Sequence, residues 1–455
     1  MTHTDGKTIF LTISVSAKIN FILRSDFPKF LKQEGFRVVI LSPFWNEDFF
    51  IKEFGKDYIL ELLEGRRRYS LANILNNFRN QALLVHNPRL EKVQNINKHL
   101  HRRFSTPRVK FSTRLNDFIL SVIPKRLRFS PEFWNKMERL LARSSLHNAL
   151  FKKYRPAAVV VDSLESNVLV YCQKYKIPSV YVDMNIDALW ARYPAPLRTT
   201  TRIAALSEDM KRDAMEVHGI QEERLLVVGS IRMDYLLRPY AYRPRDEFLK
   251  SIGADSKKRL LLFATIHPLV YPQHPDVIRL ILDAIKSGKI KEPTQLMVSY
   301  LATDTTPYSK LFAGEENLIL KPAKEKPHKD YIANLLRYTD VSIAIGSTMS
   351  LEAAAAGTPA IWIGFDGFAK YQNLEDSIKY SFEMDYLKRC LEGGGVRLAE
   401  NPDNLIAAIN EYLRDRDKDA EKRRALLEKT FYKPDGNASL RLARAVAELV
   451  RAPSQ

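Results

Sequence analysis

The segment from Thr339 to Gly364 constrains the fold of this chain more than any other. A short apolar run rich in branched residues, Val341 to Ile345, has the length of a buried parallel strand. Gly346 ends this run, hydroxyl residues suited to an N-cap follow it, and alanine-rich sequence continues to Gly357 before a second apolar run. The order strand, helix, strand predicts a parallel βαβ unit of an α/β sheet.

The start of the predicted helix is suited to binding an anion. Backbone N–H groups there lack intrahelical partners, and the helix dipole places positive potential at the same end. Phosphate groups bind at such helix starts, although an ordinary capped helix needs no ligand. We predict that Glu352, one turn along, accepts hydroxyl groups of a ribose or sugar. The predicted contacts of the phosphates are Gly346, Ser347, Thr348, Met349 and Ser350.

Short apolar runs alternate with helical patterns through most of the chain. Thr8 to Ser14 is such a run, a helical pattern over 17–34 follows it, and Arg37 to Leu41 is the next run. A second series begins at Arg259. The alternation predicts an α/β protein with two doubly wound sheets. We predict an N-terminal domain over 1–238 with a basic helical insert over about 48–155, a C-terminal domain over 246–435, and a final helix within 436–455.

Two segments resemble a known superfamily. The hydroxyl-rich turn, Glu352-Ala353, small residues, Gly357-Thr358-Pro359 and apolar run of the Thr339 to Gly364 segment resemble the nucleotide-sugar-binding segment of GT-B glycosyltransferases. The same segment serves the non-hydrolysing sugar-nucleotide 2-epimerases and the glycerophosphotransferases. The stretch Thr201 to Asp234 resembles the element that closes the first domain of these proteins. The resemblance implies two Rossmann-like domains that face a cleft, with the C-terminal helices packing back on the first domain.

The resemblance also implies further contacts to a nucleotide-sugar. In the 2-epimerases a Thr-x-His segment follows the first strand of the second domain, and its histidine reaches the nucleotide phosphates. Thr265-Ile266-His267 stands in this place, although Pro268 follows where that group usually has arginine. A histidine that bonds only to its own loop is the alternative. The resemblance adds the turn residues Gly229, Ser230 and Arg232, and Asp366 follows a predicted strand of the same domain.

Three carboxylates of the N-terminal domain are candidates for a general base. Asp162 and Asp183 each end a predicted strand, where ligands bind in open α/β sheets. Asp26 belongs to the first helical region, which borders the acceptor site in GT-B proteins. Inverting sugar transfer needs a base that deprotonates the acceptor hydroxyl. A carboxylate that only caps a helix or forms a turn is the alternative for each of the three.

Metal and cofactor motifs are missing from the sequence. No G-x-G-x-x-G follows the first apolar run, which disfavours an NAD-type enzyme, and P-loop and serine-hydrolase signatures are absent. There is no Asp-x-Asp of the type that GT-A enzymes use to hold a divalent ion. GT-B folds replace the metal by a helix start and basic side chains at the leaving diphosphate. We therefore expect no metal and no cofactor, with the nucleotide-sugar as a substrate.

Positive charge is concentrated in one stretch of the N-terminal half. The formal net charge is +18, and residues 61–155 carry 21 basic and 6 acidic residues, a net +15. A solvated basic face, a nucleic-acid surface and a surface for anionic lipid are the alternatives. No nucleic-acid motif is present, so we expect no nucleic-acid partner and retain the anionic membrane surface as a candidate partner.

These observations lead to three hypotheses about function. The first is a glycosyltransferase that moves a sugar from a nucleotide donor to a surface-polysaccharide or lipid-linked acceptor without a metal. The second is a sugar-nucleotide 2-epimerase, and the third is a catalytically inactive GT-B-like binding module. The N-terminal sequence MTHTDGKTIFLTISVS lacks the features of a signal peptide, and there are two cysteines. We expect a cytoplasmic protein, with peripheral binding to the inner face of the membrane as a further hypothesis.

Overall fold

The computed structural model describes residues 6–64, 89, 92–93, 96, 144–163, 168–182, 185–191, 200–239, 242–268, 270–323 and 329–452. These residues fall into two compact units. Unit 1 draws on Met1–Glu91, Thr106–Asp234 and Phe431–Gln455, and unit 2 draws on Lys92–Ser105 and Tyr235–Thr430. Each unit contains one parallel β-sheet among the described residues.

The sheet of unit 1 has seven strands in the order β3-β2-β1-β4-β5-β6-β7. All neighbours pair in parallel, and the central strands are buried along their length, as expected for a sheet covered on both faces. The connections diverge between β1 and β4, which makes that point the topological switch of the sheet. The strands are β1 (Thr8–Thr12), β2 (Arg37–Ser42), β3 (Ile59–Leu62), β4 (Ala158–Val161), β5 (Ser179–Val182), β6 (Arg202–Ala205) and β7 (Leu225–Val227).

Helix Glu208–His218 of unit 1 begins and ends at residues that satisfy its terminal backbone groups. The Ser207 hydroxyl accepts a hydrogen bond from Met210 N at the start of helix Glu208–His218, and Gly219 ends that helix with a φ of 62°. Described helices of this unit are Ser16–Lys18, Phe27–Gln33, Asp48–Phe54, Ser145–Tyr154, Val168–Lys174, Ala188–Ala191, Glu208–His218 and Ala438–Arg451, with a π-helix over Ile19–Leu23 and a 3₁₀ turn over Glu222–Arg224.

Helix Ala438–Arg451, the C-terminal helix, packs within unit 1 through a buried aspartate. The Asp234 carboxylate is 3% exposed and accepts hydrogen bonds from Ala438 N at 3.0 Å and Ser439 N at 2.7 Å. These are two of the N–H groups that a helix start leaves without intrahelical partners. Further along, Arg441 Nε donates to the carbonyl oxygen of Val228 at 2.8 Å. The predicted return of C-terminal sequence to the first domain is confirmed for this helix.

The sheet of unit 2 has six parallel strands in the order β10-β9-β8-β11-β12-β13, and its switch lies between β8 and β11. The strands are β8 (Arg259–Ala264), β9 (Thr294–Leu301), β10 (Leu318–Ala323), β11 (Val341–Ala344), β12 (Ala360–Ile363) and β13 (Arg397–Ala399). Described helices between residues 234 and 431 are Asp234–Leu237, Arg245–Ser251, His274–Lys286, Tyr308–Leu311, Lys329–Tyr338, Thr348–Ala355, Asp385–Leu391, Pro402–Arg414 and Ala420–Phe431, with 3₁₀ turns over Leu374–Asp376 and Ile378–Glu383.

The α/β fold class is confirmed, and two local expectations need correction. The helical pattern over 17–34 is not one helix: a π-helix ends at Leu23, and a separate helix begins at Phe27, where Pro28 in its first turn needs no N–H partner. Strand β3 and helix Asp48–Phe54 lie inside the range predicted as an insert. β3 is a half-exposed edge strand with a mixed pattern, which explains why the sequence does not reveal it. The insert boundary at residue 48 was therefore too early.

Candidate functional site

The carboxyl edge of the unit 2 sheet brings together two predicted segments. Strands β8 and β11 are parallel neighbours, with Phe263 opposite Ile343 in the register. The loop with Thr265 and His267 therefore begins beside the loop that enters helix Thr348–Ala355. The connections diverge at this point of the sheet, which is where open α/β folds bind their ligands.

Helix Thr348–Ala355, which we call the phosphate helix because phosphate binding is predicted at its start, begins as predicted. The Ser347 hydroxyl accepts a hydrogen bond from Met349 N at 3.2 Å, and Gly346 has a φ of +52°. Gly346, Ser347, Thr348 and Met349 are all half-buried. Ser350 is fully buried, and its hydroxyl has no hydrogen-bond partner among the residues that the structure describes. Glu352, the predicted ribose contact, is 3% exposed, so nearly all of its surface is buried in the protein.

The loop after β8 carries Thr265 and His267 at the edge of the sheet. His267 is exposed, and its carbonyl oxygen accepts a hydrogen bond from Val270 N at 2.8 Å. Thr265 is 8% exposed, and its hydroxyl finds no partner in the described part of the chain. Between them, Ile266 N donates to Nε2 of His274 at 3.3 Å. A bond from the loop backbone to a second histidine was not among the sequence predictions.

His274 is held as a neutral imidazole. The residue is 1% exposed, and burial lowers its pKa to about 4, while the nearby Asp304 carboxylate acts in the opposite direction. Since Ile266 N donates to Nε2, the neutral ring carries its proton on Nδ1. The dipeptide His274-Pro275 at a helix start was the only sequence signal for this residue.

The loop after β12 is held by hydrogen bonds within the loop and by one hydrogen bond from the loop after β8. The Asp366 carboxylate accepts from the Ser377 hydroxyl at 2.6 Å and from Ile378 N at 2.8 Å. The predicted ligand residue therefore has both oxygens engaged in its own loop. Tyr271, which is 1% exposed, donates its hydroxyl to the carbonyl oxygen of Phe365 at 2.8 Å and links this loop to the one after β8.

Asp162 occupies the switch point of unit 1, between β1 and β4. Its carboxylate accepts from the Thr12 hydroxyl at 2.6 Å and from the N–H and hydroxyl of Ser14 at 2.7 Å each. The residue is 1% exposed, and burial raises its pKa, while the bonds from Ser14 and Thr12 and the charge of Lys18 oppose that rise. Asp162 thus holds the loop that follows β1. The buried Lys18 nearby was not predicted as a site residue.

The turn after β7 packs inside unit 1. The Arg232 guanidinium lies over the Phe21 ring, 3.8 Å from its centroid, and Phe21 belongs to the π-helix after β1. Gly229 has a φ of +84°, and a Cβ there would lie 2.9 Å from the carbonyl oxygen of Phe431. Ser230 is buried, and its hydroxyl has no partner within the described ranges. The predicted turn residues are therefore tied to neighbouring elements of their own unit.

Two predicted site residues, Asp26 and Asp183, are not placed at the carboxyl edge of the unit 2 sheet or among the contacts of unit 1 described above. Asp26 is half-buried at the N-cap of helix Phe27–Gln33, and its side chain makes no capping hydrogen bond. Asp183 lies outside the described residues, as does most of the basic stretch 61–155. Within the described ranges, no cluster of three or more histidine, cysteine or acidic side chains could hold a metal ion. Nor does any helix described there have the length and apolar character to cross a membrane.

Solved structures of similar fold cover almost the whole chain. A UDP-GlcNAc 2-epimerase from Neisseria meningitidis, bound to UDP-GlcNAc, is 12% identical at a TM-score of 0.56, over 97% of this chain and 100% of that chain. A glycosyltransferase from Rickettsia africae is 12% identical at a TM-score of 0.55, over 99% of this chain and 100% of the other.

A third structure agrees with these two. The putative UDP-N-acetylglucosamine 2-epimerase from Listeria monocytogenes is 14% identical at a TM-score of 0.56, over 99% of this chain and 97% of that chain. No protein-family model matches the chain, and no curated protein does. The identities lie in the range where structural likeness indicates fold alone. The chain has the GT-B-type fold, with two Rossmann-like domains, that sugar-nucleotide 2-epimerases and glycosyltransferases share.

Proposed function

We propose that this protein is a glycosyltransferase that moves a sugar from a nucleotide-sugar donor to a surface-polysaccharide or lipid-linked acceptor. The observation that carries the proposal is the carboxyl edge of unit 2, where the phosphate helix begins beside the loop with Thr265 and His267. A helix start and an exposed histidine at a switch point form a site suited to a nucleotide diphosphate. The neighbouring glycosyltransferase and epimerase folds support a nucleotide-sugar as the ligand.

The site would stabilise the leaving diphosphate without a metal. First-turn N–H groups of the phosphate helix would donate to phosphate oxygens, and His267 would donate from the neighbouring loop. Such donors act where negative charge develops during cleavage of the sugar–phosphate bond. Glu352 would accept a hydroxyl of the ribose through its remaining exposed surface.

Unit 1 would supply the group that deprotonates the acceptor hydroxyl. Asp162 has three hydrogen-bond donors around it, so we assign it the role of holding the loop after β1. Asp183 and Asp26 remain the candidates for the base. A carboxylate with this role must approach the acceptor hydroxyl to within hydrogen-bond distance.

A 2-epimerase is the second candidate function, and one observation favours it. The buried Asp162 carboxyl lies at the switch point of unit 1, and burial raises its pKa, while the hydrogen bonds from Ser14 and Thr12 and the charge of Lys18 oppose that rise. A buried carboxyl group whose pKa is raised can hold and release a proton, which suits proton transfer at a sugar carbon. The epimerase structures named above share the fold.

Thermal unfolding with UDP-, GDP-, CMP- and CDP-linked sugars tests the nucleotide site. We expect one nucleotide class to raise the melting temperature of the wild-type protein, and Glu352→Gln to reduce that rise. Asp340→Asn is the matched control: Asp340 is also buried, but it accepts from Leu260 N at the opposite edge of the same sheet. If no compound raised the melting temperature, the proposed nucleotide site would be contradicted. If the rise were equal in Glu352→Gln and wild type, Glu352 would not be a contact of the nucleotide.

Turnover without an acceptor separates the two enzyme functions. An epimerase converts the sugar-nucleotide alone and exchanges a sugar C–H proton with deuterated water, whereas a transferase needs an acceptor hydroxyl. NMR of the sugar-nucleotide incubated with the protein in deuterated water distinguishes them. Deuterium at C2 would overturn the transferase proposal in favour of the epimerase. Binding without turnover under either condition would favour the inactive binding module.

A further inference from the structure

The first turn of helix His274–Lys286 contacts the loops after two different strands of unit 2. At its first residue, His274 accepts the backbone N–H of Ile266 through Nε2. The imidazole ring packs edge-on against Tyr271 and Phe263, with centroids 5.1 and 5.9 Å away. The loop that carries Thr265 and His267 is therefore tied to a buried, closely packed ring rather than to solvent.

Two residues further along, Asp276 holds the loop after β12. Its Oδ2 accepts a hydrogen bond from Phe368 N at 3.0 Å. Gly367 has a φ of +59°, and a Cβ at this position would lie 2.6 Å from the side chain of Asp276. The loop backbone thus approaches Asp276 so closely that only glycine fits at residue 367.

The sheet order places these two loops on either side of the phosphate helix. β11, which leads into that helix, lies between β8 and β12 in the sheet. The loop held by His274 follows β8, and the loop held by Asp276 follows β12. The first turn of helix His274–Lys286 therefore holds both loops that flank the candidate phosphate site, the loop after β8 and the loop after β12. Donors that bind phosphate depend on such support, because displacements of about 1 Å weaken a preorganised site strongly.

We propose that His274 and Asp276 are positioning residues of the nucleotide site, which act through the amide groups of Ile266 and Phe368 to fix the loops on both sides of the phosphate helix. The proposal rests on the nucleotide-binding function proposed above. Neither side chain needs to touch the nucleotide. Their contribution is to limit the positions that the two loops can adopt before the ligand arrives.

Paired substitutions separate positioning from general stability. Glutamine at 274 presents an oxygen near the position of Nε2, whereas phenylalanine keeps an aromatic ring and removes the acceptor. Asparagine at 276 keeps an acceptor oxygen, whereas leucine removes it. We expect His274→Phe and Asp276→Leu to weaken binding of the stabilising nucleotide-sugar by about tenfold or more, with His274→Gln and Asp276→Asn within about threefold of wild type.

Hydrogen exchange of the ligand-free proteins gives a readout that does not depend on the nucleotide. His274→Phe should accelerate amide exchange in peptides covering 264–272, and Asp276→Leu in peptides covering 364–370, while the central strands remain protected. Unchanged exchange in both loops would overturn the proposal, as would equal losses of affinity in the conservative and disruptive variants. If the wild type binds no nucleotide, the proposed nucleotide-binding function is wrong. The exchange rates still show whether His274 and Asp276 hold the two loops. Should His274→Phe fail to fold, the Asp276 pair provides the same comparison on a half-buried residue.

Discussion

Replacement of His274 by phenylalanine should change how the stability of unit 2 depends on pH. The ring is 1% exposed, and burial lowers its pKa from 6.5 to about 4. Because the folded-state pKa lies below the ordinary value, near pH 5 the unfolded chain takes up a proton that the folded chain does not. The free energy of unfolding therefore falls as the pH decreases from about 6.5 towards 4, and this group has no effect above that range.

The size of the effect follows from the displacement of the pKa. One pKa unit corresponds to about 1.4 kcal/mol, and at pH 5 the linkage between 6.5 and about 4 gives a loss of about 2 kcal/mol. Phenylalanine does not titrate, so His274→Phe should lose about 2 kcal/mol less than wild type between pH 8 and pH 5. At pH 8 the variant should be less stable by about 1 kcal/mol, because Ile266 N loses its acceptor.

Urea unfolding at pH 8 and pH 5 measures both quantities. Trp362, one of four tryptophans in the chain, is fully buried in strand β12, so the part of the fluorescence change that it contributes reports on the core of unit 2. Other histidines titrate in both proteins, and the difference between wild type and variant therefore isolates residue 274. An identical loss of stability between the two pH values in both proteins would refute the reasoning that His274 is buried in its neutral form.

Three further substitutions test other parts of the structure. Asp234→Ala should lower the free energy of unfolding of unit 1 by about 1–2 kcal/mol in urea titrations, because two amide groups of the C-terminal helix lose their acceptor; an unchanged value would contradict this contact. Tyr271→Phe should lower the free energy of unfolding of unit 2 by about 1 kcal/mol, since the carbonyl oxygen of Phe365 loses its buried donor; a free energy equal to that of the wild type would contradict this contact. Asp162→Asn should cost about 1–3 kcal/mol at pH 7, because one of the two acceptor oxygens becomes an amide nitrogen, which cannot accept from Ser14 or Thr12; equal melting curves would show that the carboxylate is not held as described.

Local patterns predicted the elements whose ends have a clear chemical signal. Strand β8 begins at Arg259, the predicted start of the second series, and strand β11 covers Val341–Ala344 of the predicted run Val341 to Ile345. The phosphate helix begins at its predicted hydroxyl residues. In each case, an apolar run or a helical period is bounded by residues whose side chains or φ preference mark the end, and no distant contact is needed.

Contacts between distant residues explain what the sequence did not reveal. Asp276 holds the N–H of Phe368, which is 92 residues away, and Asp162 holds Thr12 across 150 residues. Neither pairing follows from periodicity or capping, since both depend on which strands become neighbours. The sequence located candidate residues at strand ends, but the assignment of Asp162 to a structural role and of His274 to a supporting one needed the strand order.

The most direct test of the central claim is hydrogen exchange of the full chain with and without a saturating nucleotide-sugar, beginning with UDP-GlcNAc and the GDP-, CMP- and CDP-linked sugars. We predict that the nucleotide that binds will protect peptides covering 264–272 and 345–352, at the carboxyl edge of the unit 2 sheet. Protection confined to other parts of the chain, or no protection with any of these compounds, would contradict it.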